Sequence, residues 1–238
     1  MTVAVLVVVA VLVLTNLGNH YWWKRWYLLA CPVVAVLLVA VGRLAGLTWT
    51  DMGMGRRALV HGVVWAVGSV LAVALVYAVA LMVPGLSAVT GDPPHYRQVL
   101  FAALVEVPFA TVLLEETAFR GVLFGLVDQD HGAVAATVVS SLLFGLWHVA
   151  PSLQDDGVRP PPWLAGHRLA VPLWVVGTVL FTALGGVVFC LLRVLSGSVF
   201  AAMGLHWGTN GLGALVQLVA ARRAQPRPGQ ATPPTPRS

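Results

Sequence analysis

Residues 99–126 read VLFAALVEVPFATVLLEETAFRGVLFGL, a run long and apolar enough to cross a bilayer that nonetheless carries Glu115, Glu116 and Arg120 within six positions. A membrane-spanning helix needs about 20 mostly apolar residues at about 1.5 Å rise each. A carboxylate or guanidinium at its centre costs about 2.5–3.5 kcal/mol on insertion scales, so three together have to face protein or water rather than lipid. On one helix, Glu116 and Arg120 stack four apart as an ion pair, whereas Glu115 points about 100° away from Glu116.

The rest of the chain is written for the same solvent. Of its 238 residues, 58% are hydrophobic and 10% charged, and the mean hydropathy is +0.86; a soluble domain carries about 25% charged residues. The fold class is therefore all-α, a polytopic transmembrane helical bundle of about seven spans with a polar site in its core. The spans are expected near 2–18, 26–47, 58–84, 99–126, 131–150, 170–193 and 197–220. The first lacks a basic leader and a small-residue cleavage site, so it reads as a span rather than a signal peptide. YWWKRWY at 21–27 reads as an interfacial anchor. WTDMGMGRR at 49–57 reads as a short connector lying on the membrane surface. The stretch 151–168 reads as a long polar loop, with Asp155, Asp156 and a run of three prolines at 160–162, and the Pro/Arg-rich tail from Arg222 reads as disordered.

The formal net charge of +5 does not mark a nucleic-acid partner, because the arginines sit at segment ends instead of forming a basic face. They act as topology signals. With the N-terminus outside, Lys24, Arg25, Arg97, Arg159, Arg168, Arg222, Arg223, Arg227 and Arg237 lie inside, against Arg43, Arg56, Arg57 and Arg193 outside. The excess favours N-out and C-in. Cys31 and Cys190 lie in apolar runs and read as small buried hydrophobes, with no disulfide inferred.

Two further segments carry polar groups at membrane depth. SSLLFGLWHVA places His148 one turn after Phe144, and MGLHWGTNG places His206 and Asn210 at i and i+4. A single membrane histidine is commonly an interhelical hydrogen-bonding residue, and Gly145, Gly204, Gly208 and Gly211 fit close helix packing. Depth tells whether the groups meet. Measured from turns near 128–131 and 193–198, Glu115 lies about 20 Å along its helix, His148 about 25 Å and His206 about 12–15 Å. Ordinary tilts bring these into one layer.

In this order, Glu115-Glu116-x-x-x-Arg120, Phe144-x-x-x-His148 and His206-x-x-x-Asn210 resemble the three motifs of the CPBP family of intramembrane proteases. That family, also called Abi, includes the type II CAAX prenyl endopeptidases and bacteriocin-processing or immunity-related relatives. The resemblance spans roughly 113–212. It implies a catalytic membrane core over 98–221, after N-terminal helices and connectors over 1–97 and before the tail over 222–238. It also implies that Glu115 activates a water with help from His148, that His206 and Asn210 stabilise the oxyanion, and that Glu116 and Arg120 support them, with Phe144 beside His148. Desolvation makes a carboxylate a better base, and fixed donors act strongly where water is scarce.

No metal ligand is assigned and no cofactor is favoured. Zinc on one Glu and two His is the alternative mechanism, although the HExxH helix of many zinc proteases is absent. The implied partners are the lipid bilayer and a membrane-associated peptide or protein substrate, in an integral membrane protein of a bacterial plasma membrane. Two other classes compete. One is a proton- or ion-coupled transporter, for which the inverted repeats and broken helix pairs are lacking; the other is a catalytically silent membrane immunity or interaction protein. The end of the chain, PTPRS, is not a CAAX box.

Overall fold

The computed structural model describes residues 2–22, 24–83, 95–153 and 168–224, and these form helices and the turns between them, with no strand among them. Asp155 and Asp156 of the expected polar loop, and the tail from residue 225 onward, lie outside the described residues. In chain order come α1 (Thr2–Leu17), a π-helical turn (Gly18–Trp22), a 3-10 turn (Lys24–Trp26), α2 (Tyr27–Leu44) and α3 (Arg56–Ala80). A continuous stretch follows: α4 (Tyr96–Phe101), a π-helix (Ala102–Val112), α5 (Leu113–Glu116), a second π-helix (Thr117–Leu123), α6 (Phe124–Trp147) and α7 (Val149–Ser152). The chain ends in α8 (Ala170–Ser196), α9 (Val199–Trp207), a π-helical turn (Gly208–Leu212) and α10 (Gly213–Ala224).

Five helical runs are long and apolar enough to cross a membrane: Thr2–Trp22, Tyr27–Leu44, Arg56–Ala80, Tyr96–Ser152 and Ala170–Ser196. The fourth is 57 residues long and reverses within itself. Ser140 Oγ donates to Phe119 O, and Trp147 Nε1 donates to Glu115 Oε1; both pairings need an antiparallel return centred near residue 130. The expected turn at 128–131 is made one residue later, at Gly132, whose φ of 79° is open to glycine and costly for other residues.

The outer surface is that of a lipid-solvated bundle. Leu44, Val134, Phe181 and Leu184 stand exposed, as apolar side chains do when hydrocarbon is the solvent. The interior holds Val8, Leu12, Leu38, Leu114, Phe119, Leu123, Phe144 and Cys190. Both cysteines are free and buried. Glycines let the helices approach: a Cβ on Gly145 of α6 would stand 2.6 Å from Val179 O of α8, and one on Gly204 of α9 would stand 2.5 Å from Ala66 Cα of α3. Small residues at interfaces replace the hydrophobic driving force that lipid removes.

The connector at 49–57 does not lie flat on the surface. Leu47 and Met52 are fully buried against α2 and the second π-helix, because a Cβ on Gly42 would meet both of them and Val122. Arg193 seals this loop: it donates to Asp51 O (2.8 Å), its guanidinium stands 5.7 Å from the Phe124 ring, and Gly53 abuts it. Val199 N–H donates to Gly53 O, which ties the loop to α9. Within the loop, Asp51 accepts from the backbone N–H (2.7 Å) and hydroxyl (2.8 Å) of Thr48. The Thr48 backbone N–H is the main cause holding the Asp51 carboxyl below its ordinary range.

Candidate active site

The three polar segments converge in the bundle core. Glu115 and Glu116 stand on α5, a single α-turn between the two π-helices, and Arg120 lies in the second of these. Pro108 inside the first π-helix supplies no N–H and disfavours regular i→i−4 bonding there. Asn210 is also in a π-helical turn, and His148 sits at the break between α6 and α7, with φ −84° and ψ 1°. Departures from α geometry of this kind often accompany functional sites, because they re-aim side chains that a regular helix would send elsewhere.

Glu116 and Arg120 are completely buried and paired as the sequence spacing implied, with Arg120 Nη1 donating to Glu116 Oε1 at 3.2 Å. The guanidinium also donates to Gly186 O (3.3 Å) and stands 4.1 Å from the Phe144 ring centroid and 4.8 Å from that of Phe189. A charge with a partner, a carbonyl and two aromatic faces is tolerable where a bare one is not. Phe144 thus holds Arg120 from one side while its edge meets His148 (4.8 Å) and His206 (6.0 Å).

His206 was expected to share its work with Asn210, yet its closest partner is a carboxylate on another helix. Its Nδ1 lies 2.7 Å from Glu116 Oε1, so the Nδ1–H donates there and the ring is fixed. Nε2 is left facing Glu115 Oε2 at 3.9 Å, beyond hydrogen-bond range. Stacking on Phe189 at 5.0 Å holds the imidazole plane. Glu115 is 6% exposed: its Oε1 accepts from Trp147 Nε1 at 3.0 Å, and its Oε2 has no hydrogen-bond partner among the described residues. His148 donates from Nδ1 to Phe144 O at 2.8 Å, which leaves its Nε2 as a free acceptor.

A cavity of about 310 Å³ lies beside His206 and His148. Phe144, His148, Phe189, His206, Thr209 and Asn210 line it together with Phe181 and Gly185 of α8. Asn210 is exposed into this region, with Thr209 Oγ1 at 3.4 Å from its Oδ1. The structure therefore brings Glu115, His148, His206, Asn210, Glu116, Arg120 and Phe144 into one neighbourhood. Two contacts were invisible to spacing arguments, Glu116 to His206 and Trp147 to Glu115, because each joins residues on different helices.

A zinc site would need Glu115 and both imidazoles around one ion. Among the described residues no three His, Cys, Asp or Glu side chains are grouped to hold a metal ion, and no step below is routed through a metal.

Residues 96–212 match the family described as type II CAAX prenyl endopeptidase Rce1-like. The matched segment belongs to this family. No curated protein and no solved structure matches the chain. The matched segment begins at the first residue of α4 and ends with the π-helical turn that carries Asn210, so the whole polar cluster lies inside the Rce1-like region. The Rce1-like family is a protease family, and the apolar helices make this member a membrane protein.

Proposed function

We propose that the chain is an intramembrane endopeptidase that hydrolyses a peptide bond in a membrane-associated peptide or protein, with Glu115 as the base. The observation that carries this is the unpartnered Glu115 Oε2 opposite His206 Nε2, beside a cavity lined by His148 and Asn210. A water between Glu115 Oε2 and the substrate carbonyl gives up a proton to Glu115, its oxygen attacks the carbonyl carbon, and the tetrahedral oxyanion is received by Asn210 and protonated His206. Glu116 balances the charge on His206 and holds its orientation. Glu115 then returns the proton to the leaving amine, and His148 Nε2 assists in moving protons at the mouth. Donors fixed in a dry pocket stabilise developing charge without reorganisation.

The proposal includes seven membrane crossings: the five apolar runs, with Tyr96–Ser152 counted twice because it reverses at Gly132, and Val199–Ala224 as the last. In the N-out, C-in orientation, removing the buried Arg193 from the outer count leaves nine inner Lys and Arg against three outer ones. The proposed setting is a bacterial plasma membrane. Catalysis is glutamate-dependent.

Termini of membrane peptides from cells carrying the native protein or Glu115→Gln test this. A discrete set of new termini should vanish in the variant at equal protein level, and an unchanged set overturns the reading. The same termini should form in membranes stripped with a strong chelator; their loss there would return the zinc mechanism.

A further inference from the structure

The family motifs leave Trp147 without a role, yet its indole is what holds Glu115. Glu115 Oε1 accepts from Trp147 Nε1 at 3.0 Å, and Oε2 is the oxygen left toward His206. A carboxylate is nearly symmetric about its last torsion, so pinning one oxygen decides which way the other faces. Trp147 is itself held twice, once at its ring and once at its backbone. Its ring meets Phe119 edge-on at 5.9 Å and 76°. The Trp147 carbonyl at the end of α6 is one of those that a helix terminus leaves without an intrahelical donor; here it accepts from Asn16 Nδ2 at 2.7 Å. Asn16 is 7% exposed, on α1, outside the segment that matches the family.

We infer that Trp147 is a positioning residue for Glu115, fixed in turn by Asn16, so that α1 is part of the reactive geometry rather than a separate membrane anchor. The chain of contacts runs Asn16 to Trp147 to Glu115 to His206, across α1, α6, α5 and α9. The inference rests on the proteolytic reading, because it assigns Trp147 a task only if Glu115 is the base.

Two measurements on the full-length protein in nanodiscs separate the two claims. Ultraviolet resonance Raman spectra report hydrogen bonding of indole N–H groups. Glu115→Ala should release one indole N–H from a strong hydrogen bond, and that difference should disappear when Trp147→Phe is already present. Its persistence in the Trp147→Phe background, or its absence altogether, overturns the inference whatever the protein cleaves. The second measurement replaces the Trp147 indole with its benzothiophene isostere, which keeps ring shape and packing and removes the N–H. The rate at which Glu115-dependent termini form should fall by about 10- to 100-fold, the range for losing a hydrogen bond to a charged group. An unchanged rate assigns Trp147 to packing and overturns the positioning role. If no terminus depends on Glu115, the proteolytic reading fails first and this role falls with it.

Discussion

Two arginines are buried in this bundle, and they teach different things. Arg120 lies in an aromatic cage, paired with Glu116, whose second partner is His206. Arg193 is 8% exposed and donates to the backbone carbonyl of Asp51. Around Arg120 stand a second carboxylate with an unpartnered oxygen, an imidazole with a free nitrogen and a cavity; around Arg193 stand a loop, a phenyl ring and a glycine. Burial of a charge is therefore a poor indicator of chemistry by itself. What separates the two regions is whether proton-carrying groups are left uncommitted next to space that a substrate can enter.

The largest expected effect that sharpens this contrast is on rate. Glu115→Gln keeps the shape of the side chain and removes its basicity, and should lower formation of the dependent termini by about 10²- to 10⁴-fold, measured by quantitative terminal proteomics. Next is Arg120→Met, which leaves Glu116 buried without its counter-charge. A loss of about 3–5 kcal/mol is expected, read as a large drop in thermal stability in detergent, and Glu116→Gln in the same chain should recover part of it. Arg193→Met should cost less, about 1–3 kcal/mol for the carbonyl left unsatisfied, with cleavage per folded molecule unchanged. Gly53→Ala should resemble it, because a methyl there would strike the guanidinium and the φ of 68° disfavours a side chain.

The smallest effect belongs to the loop that Arg193 secures. The Asp51 carboxyl is held below its ordinary range by the Thr48 backbone N–H. A group so depressed contributes stability above its unfolded value, and that contribution is lost as pH falls through the folded value. The difference in melting temperature between the parent and Asp51→Asn should therefore be present at pH 7 and narrow below about pH 4. A gap that widens on acidification would contradict the assigned hydrogen bonds.

Much of this could be read from the chain because membrane helices obey strong rules. Apolar runs located the helices within a few residues, and the 115–120 spacing implied the Glu116–Arg120 pair that is seen. The order of the three polar segments, with helix rise, put Glu115 and His206 at one depth, and they are neighbours. What escaped depends on tertiary contact. A spacing of i and i+4 placed His206 with Asn210, but the stronger partner for its Nδ1 comes from α5. The π-helical stretches beside α5 have only Pro108 as a local cue. Nothing local in the connector at 49–57 announces that Met52 is buried while Arg56 and Arg57 are exposed, because the partners of Met52 lie on α2 and the second π-helix. Arg193 looked like a topology charge because nothing local announces that a loop 142 residues upstream will offer it a carbonyl.

The central claim is that the Glu115 cluster does chemistry where Arg193 only holds a loop. The most direct test is to purify the parent, Glu115→Gln and Arg193→Met, determine the folded fraction of each, and measure the termini each generates per folded molecule from the same variant-free membranes. The account predicts that Glu115→Gln is fully folded and silent, while Arg193→Met is less stable but generates termini at the parental rate per folded molecule. Termini from Glu115→Gln at the parental rate, or a fully folded Arg193→Met that generates none, would contradict it.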